Sequence, residues 1–276
     1  GNTGILAVSG AKLKTWLPQL SSDNAQGEYY LTDTIAMAVA DGMEVVAVAA
    51  KTEQEVQGIN SRQQQATLER WYQLQLANAL MVGGATLADP ARIDIRGKVS
   101  HGQDIFIDVN AVFEGEVTLG NGVQIGPNVQ IINSRIGDGV IINANSVIEN
   151  SDIAGGCQVG PFARLRAGTR LAENAKIGNF VETKQVDIGP GSKVNHLSYV
   201  GDAKLGRDVN IGAGTITCNY DGANKHLTEI GDDVFIGSNS ALVAPIKISA
   251  GATVGAGSTL SANVEAQTLV VARGKA

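Results

Sequence analysis

Aliphatic residues recur every six positions between about Leu119 and Leu260. They fall at Leu119, Ile125 and Ile131, at Ile136, Ile142 and Ile148, and at Ile153, Val159 and Leu165. They continue at Leu171 and Ile177, at Ile188, Val194 and Val200, and at Leu205 and Ile211, then resume from Ile230 through Ile236, Leu242, Ile248, Val254 and Leu260. A six-residue period with an inward aliphatic residue predicts a mainly β fold, a parallel β-helix of hexapeptide repeats. The steps 131→136, 148→153 and 200→205 are five residues long and follow every third hexapeptide. Three flat faces therefore make one coil of 17 or 18 residues, and the cross-section is triangular.

Residues 1–84 obey different rules and read as a partial α/β segment. Gly27 to Gly42 predicts a helix, and Glu44 to Ala49 a short strand. From Ser61 onward, Leu68, Trp71, Tyr72, Leu76, Ala79 and Leu80 keep the 3/4 spacing of an apolar helix face, which Gly83-Gly84 closes. No Gly-rich phosphate loop follows a strand in this stretch. Residues 85–99 read as a linker, and 100–276 as the β-helix.

Stacking the coils at the strand spacing of about 4.8 Å turns equal offsets into columns. One column puts Arg166 beside Lys184, two cations one rung apart, whose repulsion a phosphate between them would relieve. Another starts at His196 and continues through Ala213, Ser238 and Ala256, a shallow groove of small residues about 14 Å long. A pantetheine arm has that length. Imidazole is the side chain best placed to exchange a proton near neutral pH, so His196 is the candidate base. The period breaks once, between Thr217 and Ile230, by an insertion of seven residues within the polar, turn-rich run Cys218 to His226. Loops that interrupt a solenoid tend to line a site on one edge.

Composition narrows the classes. Aromatics are 4% and glycines number 34, which suits narrow solenoid corners better than a conventional core. A net charge of −6 argues against a general nucleic-acid binder. No run of 18 apolar residues predicts a membrane span, and no signal peptide opens the chain. The expectation is a cytoplasmic protein whose two cysteines, Cys157 and Cys218, stay reduced. Gly1 is not an initiator Met, so the chain reads as part of something longer.

Four stretches carry a resemblance: Gly160-Pro161-Phe162-Ala163-Arg164-Leu165-Arg166, Gly178 to Glu182, Asn210 to Gly222, and Gly231 to Ser238. They resemble the bacterial bifunctional enzymes that join a glucosamine-1-phosphate N-acetyltransferase to an N-acetylglucosamine-1-phosphate uridyltransferase. The similarity extends over essentially the whole chain. It implies a left-handed β-helix, a homotrimer and acetyl-CoA bound between subunits. It implies His196 as the acetyltransferase base, with Glu182 near it raising its basicity. Arg166 and Lys184 would take the sugar phosphate, and Tyr199, Asn210 and Lys225 the sugar of glucosamine-1-phosphate. Ala213, Asn219, Tyr220, Ser238, Ala256 and Arg273 would contact acetyl-CoA. Asn2 and Asn60 match uridyltransferase positions, with Asn60 a Mg²⁺ ligand.

The chain departs from that pattern at both ends. The family's nucleotide loop, the Asp that shares the metal with Asn60, and the basic tail beyond Arg273 have no counterpart here, so uridylyl transfer is expected to be lost. Two other readings compete with this one. A three-histidine metal enzyme would draw on His101, His196 and His226, but His101 lies about five coils from His196. A purely structural solenoid would need regular faces, against which stand the insertion and the cation column.

Overall fold

In the computed structural model, residues 3–272 are described, and the chain divides into two compact units, 1–71 and 72–276. The first unit is helical. It holds α1 (Gly10–Trp16) and α2 (Asp33–Ala40), and α3 (Arg62–Val82) begins in it. Trp16 is buried, and its indole N–H donates to Asp41 Oδ2 at 3.2 Å, which Lys12 also reaches at 2.9 Å.

The expected helix over 27–42 forms only from Asp33. Before it, Asn24 Oδ1 accepts from the amides of Gln26 and Glu28 and holds a turn at Gly27, whose φ is +69°. Competition of this kind from an Asn side chain draws backbone away from helix. The expected strand over Glu44–Ala49 is absent. Val45, Val46 and Val48 are exposed, and no strand occurs among the described residues of this unit to pair with them. A lone strand has no partner for its backbone groups, so β propensity alone does not hold one.

The second unit is a parallel β-solenoid. Eleven strands, from Thr86–Leu87 to Leu269–Val270, stack into one flat face. The other faces share a fifteen-stranded sheet, because long strands such as Glu182–Ile188 and Tyr199–Leu205 turn a corner unbroken. Glu182–Ile188 shows how. Its start pairs with Arg164–Leu165 and its end with Thr169–Leu171. The inward columns are the aliphatic residues of the six-residue beat. Ile107, Ile125, Ile142, Val159, Ile177, Val194, Ile211, Ile236 and Val254 lie in register, each at most 2% exposed. One column softens near the middle, where Thr183 and Thr217 replace aliphatics. Thr183 shares a hydroxyl bond of 3.0 Å with Thr169, and Thr217 bonds both the N–H and C=O of Gly201.

The solenoid starts earlier than the spacing suggests. Residues 85–99, read as a linker, contain strand Thr86–Leu87 and most of strand Ile93–His101, which pairs along its length with Ala111–Leu119. This strand buries Ile93 and Ile95, in register with Ala111 and Phe113, but places polar His101 where its neighbour has Leu119, which hides the six-residue beat. Gly97 lies against Gly115 so closely that a Cβ on it would meet Gly115 N at 2.6 Å. The edge this strand leaves open is covered from α3. Gln73 Nε2 donates to Ile95 O at 2.9 Å and its Oε1 accepts from Ile95 N at 2.7 Å. A side-chain amide thus copies one rung of β-sheet and blunts the edge.

Candidate functional site

The two columns read from the spacing exist. Asn179 and His196 are Cα partners in neighbouring strands. The registers Val194↔Ile211, Ile211↔Ile236 and Ile236↔Val254 carry that column on through Ala213, Ser238 and Ala256. Backbone bonds confirm it: Gly214 N donates to His196 O, Asn239 N to Ala213 O and Gly257 N to Ser238 O. His196 is exposed at the head of this row of small side chains. Asn210 belongs to the same face, between Lys193 and Phe235.

Past His196 the chain turns at Leu197, whose φ is +51°. Phe180 and Phe162 occupy the same corner one and two coils earlier, both at φ +54°, with rings stacked at 5.3 Å. Beyond the corner lie Glu182 and Tyr199, Cα partners on the adjoining face. Arg164 pairs with Glu182 and Leu165 with Thr183, which sets Arg166 opposite Lys184. The small-residue groove and the cation column therefore flank one edge of the solenoid.

The cations are not a simple pair. Arg166 Nη1 donates to Glu182 Oε1 at 2.7 Å, and this partner raises the guanidinium further above its ordinary range. Lys184 instead faces Lys225 from the inserted loop. The adjacent Lys225 amine, with Arg166 close by, disfavours a second positive charge and holds Lys184 below the usual lysine range. A dianion placed among Arg166, Lys184 and Lys225 would reverse that unfavourable crowding.

Glu182 is thus engaged by Arg166, and the imidazole finds another partner. His196 Nδ1 lies 2.9 Å from Asn179 Oδ1. Glu182, which the resemblance puts near His196, is bonded to Arg166 and makes no hydrogen bond to the imidazole. Glu182 stands across the corner from His196, where a guanidinium one rung away is the stronger attraction.

The inserted loop is a small hairpin, with Tyr220 and Lys225 bridged. Asp221 organises it: Oδ1 accepts from Ala223 N at 2.8 Å and Asn224 N at 2.7 Å, and Oδ2 meets His226 Nε2 at 2.6 Å. Those amides, chiefly that of Asn224, together with His226 hold the carboxyl far below the usual range. Tyr220 caps the turn by donating to Gly222 O at 2.6 Å. Asn219 at the loop's base donates to Asp202 and lies 3.4 Å from the Tyr199 hydroxyl.

Other expected residues are placed as follows. Asn60 is exposed ahead of α3, with its N–H donating to Gln64 Oε1 at 2.7 Å. Asn2 and Arg273 lie outside the described residues. Both cysteines are free thiols. Burial pushes Cys157 up to about 11, and Cys218 lies on strand Ile216–Cys218 of the cation face rather than beside His196. Sequence reasoning missed Asn179, Asp202 and the Asp221–His226 contact. The column arithmetic that found Ala213 contained Asn179 one rung on the other side of His196.

Residues 95–199 match the family described as GMPPB C-terminal domain, and residues 228–262 the hexapeptide repeat of succinyl-transferase. Among solved structures, a UDP-N-acetylglucosamine acyltransferase of Francisella novicida aligns over 68% of this chain and 67% of its own, at 15% identity and a TM-score of 0.49. The bifunctional protein GlmU of Cellvibrio japonicus is 64% identical over 99% of this chain, and that of Marinobacter nauticus 62% over the same share. The chain spans about 60% of the length of each of these two relatives. With such identity sustained along nearly its whole length, the chain belongs to the GlmU family.

Proposed function

We propose that the chain transfers the acetyl group of acetyl-CoA to the amine of glucosamine-1-phosphate. The observation that carries the reading is the edge itself: a histidine heading a small-residue groove on one face, and three cations on the next. Arg166, held by Glu182, and the Lys184–Lys225 pair take the phosphate. Tyr199 and Asn210 bracket the sugar from the two faces. The coenzyme's arm lies along Ala213, Ser238 and Ala256, with Asn219 and Tyr220 of the loop beside it, and Arg273 is assigned to the same ligand by resemblance. His196 Nε2 takes a proton from the sugar's nitrogen as that nitrogen attacks the thioester carbonyl. The C–N bond forms, the C–S bond breaks, and the proton passes to the departing thiolate. The products are N-acetylglucosamine-1-phosphate and free coenzyme A.

A homotrimer with the coenzyme held between copies is part of the same proposal. Its support is the corner formed by Phe162, Phe180 and Leu197, which are 49%, 56% and 63% exposed in the single chain. Three bulky apolar side chains in one exposed stripe make a surface suited to being covered by a second copy. A cytoplasmic location fits the two free thiols; among the described residues no helix is long and apolar enough to cross a membrane.

By resemblance Asn60 is one ligand of a Mg²⁺ site whose Asp partner has no counterpart in this chain, so the residues present do not complete that site. One exposed carboxamide is far from an octahedral oxygen set, and among the described residues no cluster of His, Cys, Asp or Glu would hold a metal. No step here runs through it, and the proposal is confined to acetyl transfer.

The test is thiol release from acetyl-CoA in the presence of glucosamine-1-phosphate. His196→Ala lowers it by about 10²- to 10⁴-fold with the fold intact by circular dichroism. Activity within a few-fold of the parent removes His196 from the mechanism.

A further inference from the structure

We infer that Asn179 is the positioning residue for the His196 base: it holds the proton on Nδ1 and so leaves the lone pair on Nε2. The inference rests on the reading of His196 as the base.

The backbone fixes the two side chains first. Strands Lys176–Asn179 and Lys193–His196 run parallel, and Asn179 and His196 are their terminal Cα partners. Leu197 N donates to Asn179 O at 3.1 Å, and Gly214 N to His196 O at 3.3 Å, so both residues are tied into the ladder. The next residue, Phe180, stacks on Phe162 and pins the corner that follows Asn179. Two side chains one rung apart on one face have only a short distance to close, and Oδ1 reaches Nδ1 at 2.9 Å.

The chemistry then follows from the acceptor. A carboxamide oxygen has lone pairs and no hydrogen, so the ring nitrogen facing it carries the hydrogen. In neutral imidazole the other nitrogen is then the acceptor. Nε2, on the far side of the ring from Asn179, becomes the basic atom. Asn179 does this without adding charge. A carboxylate in its place would favour the imidazolium, a protonated ring unable to accept a proton. On the adjoining face, Glu182 is bonded to Arg166. The reverse amide orientation, with nitrogen towards the ring, would place the hydrogen on Nε2 and abolish the base.

The experiment uses the intact chain with Asn179→Ala and Asn179→Asp, reading kcat and both KM values across pH, together with nitrogen NMR of His196 in the unaltered protein, assigned through His196→Ala. The expected result for Asn179→Ala is a fall in kcat of about 10- to 100-fold with both KM values within a few-fold. Asn179→Asp keeps the acceptor and restores part of kcat, while the acidic limb of the kcat/KM profile moves to higher pH. The NMR shows the Nδ1–H tautomer. An Nε2–H tautomer, or an Asn179→Ala variant with the parent's kcat, overturns the inference. If His196→Ala remains active, the base assignment and this inference fall together. If His196→Ala is dead while Asn179→Ala is unaffected, only this inference falls.

Discussion

The solenoid and the first unit differ in where their partners come from. In the solenoid each coil meets the coil before it, so a strand of two residues such as Gln124–Ile125 is held on both sides, by Phe106–Ile107 and Ile141–Ile142. In the first unit the run Glu44–Ala49 has better β propensity than many solenoid strands and forms none. Its Val48 is 89% exposed, whereas the solenoid's Val159 is fully buried. A repeating chain supplies its own template, and a non-repeating one must find it elsewhere.

The largest expected effect tests that contrast directly. Ile177 is fully buried in a continuous aliphatic column, and its replacement by Ala removes contacts within its own coil and to the coils on either side. The expected loss is about 2–5 kcal/mol. Val46→Ala, at an exposed position of the first unit, changes stability by less than about 0.5 kcal/mol. Urea unfolding followed by circular dichroism compares the two. Comparable losses would show that the first unit is not as loosely held as its burial indicates.

A smaller effect is expected where the repeat begins. Gln73 stands in for the coil that the first strand lacks, and Gln73→Leu leaves the Ile95 N–H and C=O without their partner in a buried setting. An unsatisfied buried group costs about 1–3 kcal/mol. The same measurement checks it, with amide exchange at Ile95 as a local readout. Fast exchange confined to strand Ile93–His101 would confirm that α3 caps the edge rather than the whole solenoid.

How much was legible follows from the same contrast. The period gave the inward columns, the coil length, the inserted loop and the alignment of His196 with Ala213, Ser238 and Ala256, because in-register stacking turns offsets into neighbours. The solenoid's handedness was not readable from the period and entered only through the resemblance. Strand Ile93–His101 was missed because polar His101 interrupts the beat between Ile95 and Ile107. Side-chain partners were harder still. Arg166 has acidic neighbours in Glu149 and Glu182, and spacing alone does not choose between them. Nor does it say that Glu182, once chosen, leaves the imidazole to Asn179. Outside the repeat, 3/4 apolar spacing located α3, whereas β propensity alone failed at Glu44–Ala49.

The smallest expected effect lies in the one place where the solenoid itself stops repeating. The loop after Cys218 has no coil to template it, and its order rests on Asp221, which accepts from Ala223, Asn224 and His226. A carboxyl held below its ordinary range contributes its stabilisation above the unfolded value near about 3.9. That contribution fades as pH falls through the lower folded value, since protonation removes the charge those donors favour. The loop is therefore expected to keep its hairpin from neutral pH down to about 4 and to loosen in more acid solution, while the neighbouring coil around Ile211 and Ile236 does not respond. Amide exchange of Ala223 and Asn224, compared with Ile236 over that range, reads the difference. Asp221→Asn should loosen the loop at neutral pH and remove its acid dependence, with Lys225 and Tyr220 less well placed and a raised KM for the sugar phosphate. A loop equally protected in the variant would mean that the Tyr220–Lys225 bridge, rather than Asp221, substitutes for the missing coil.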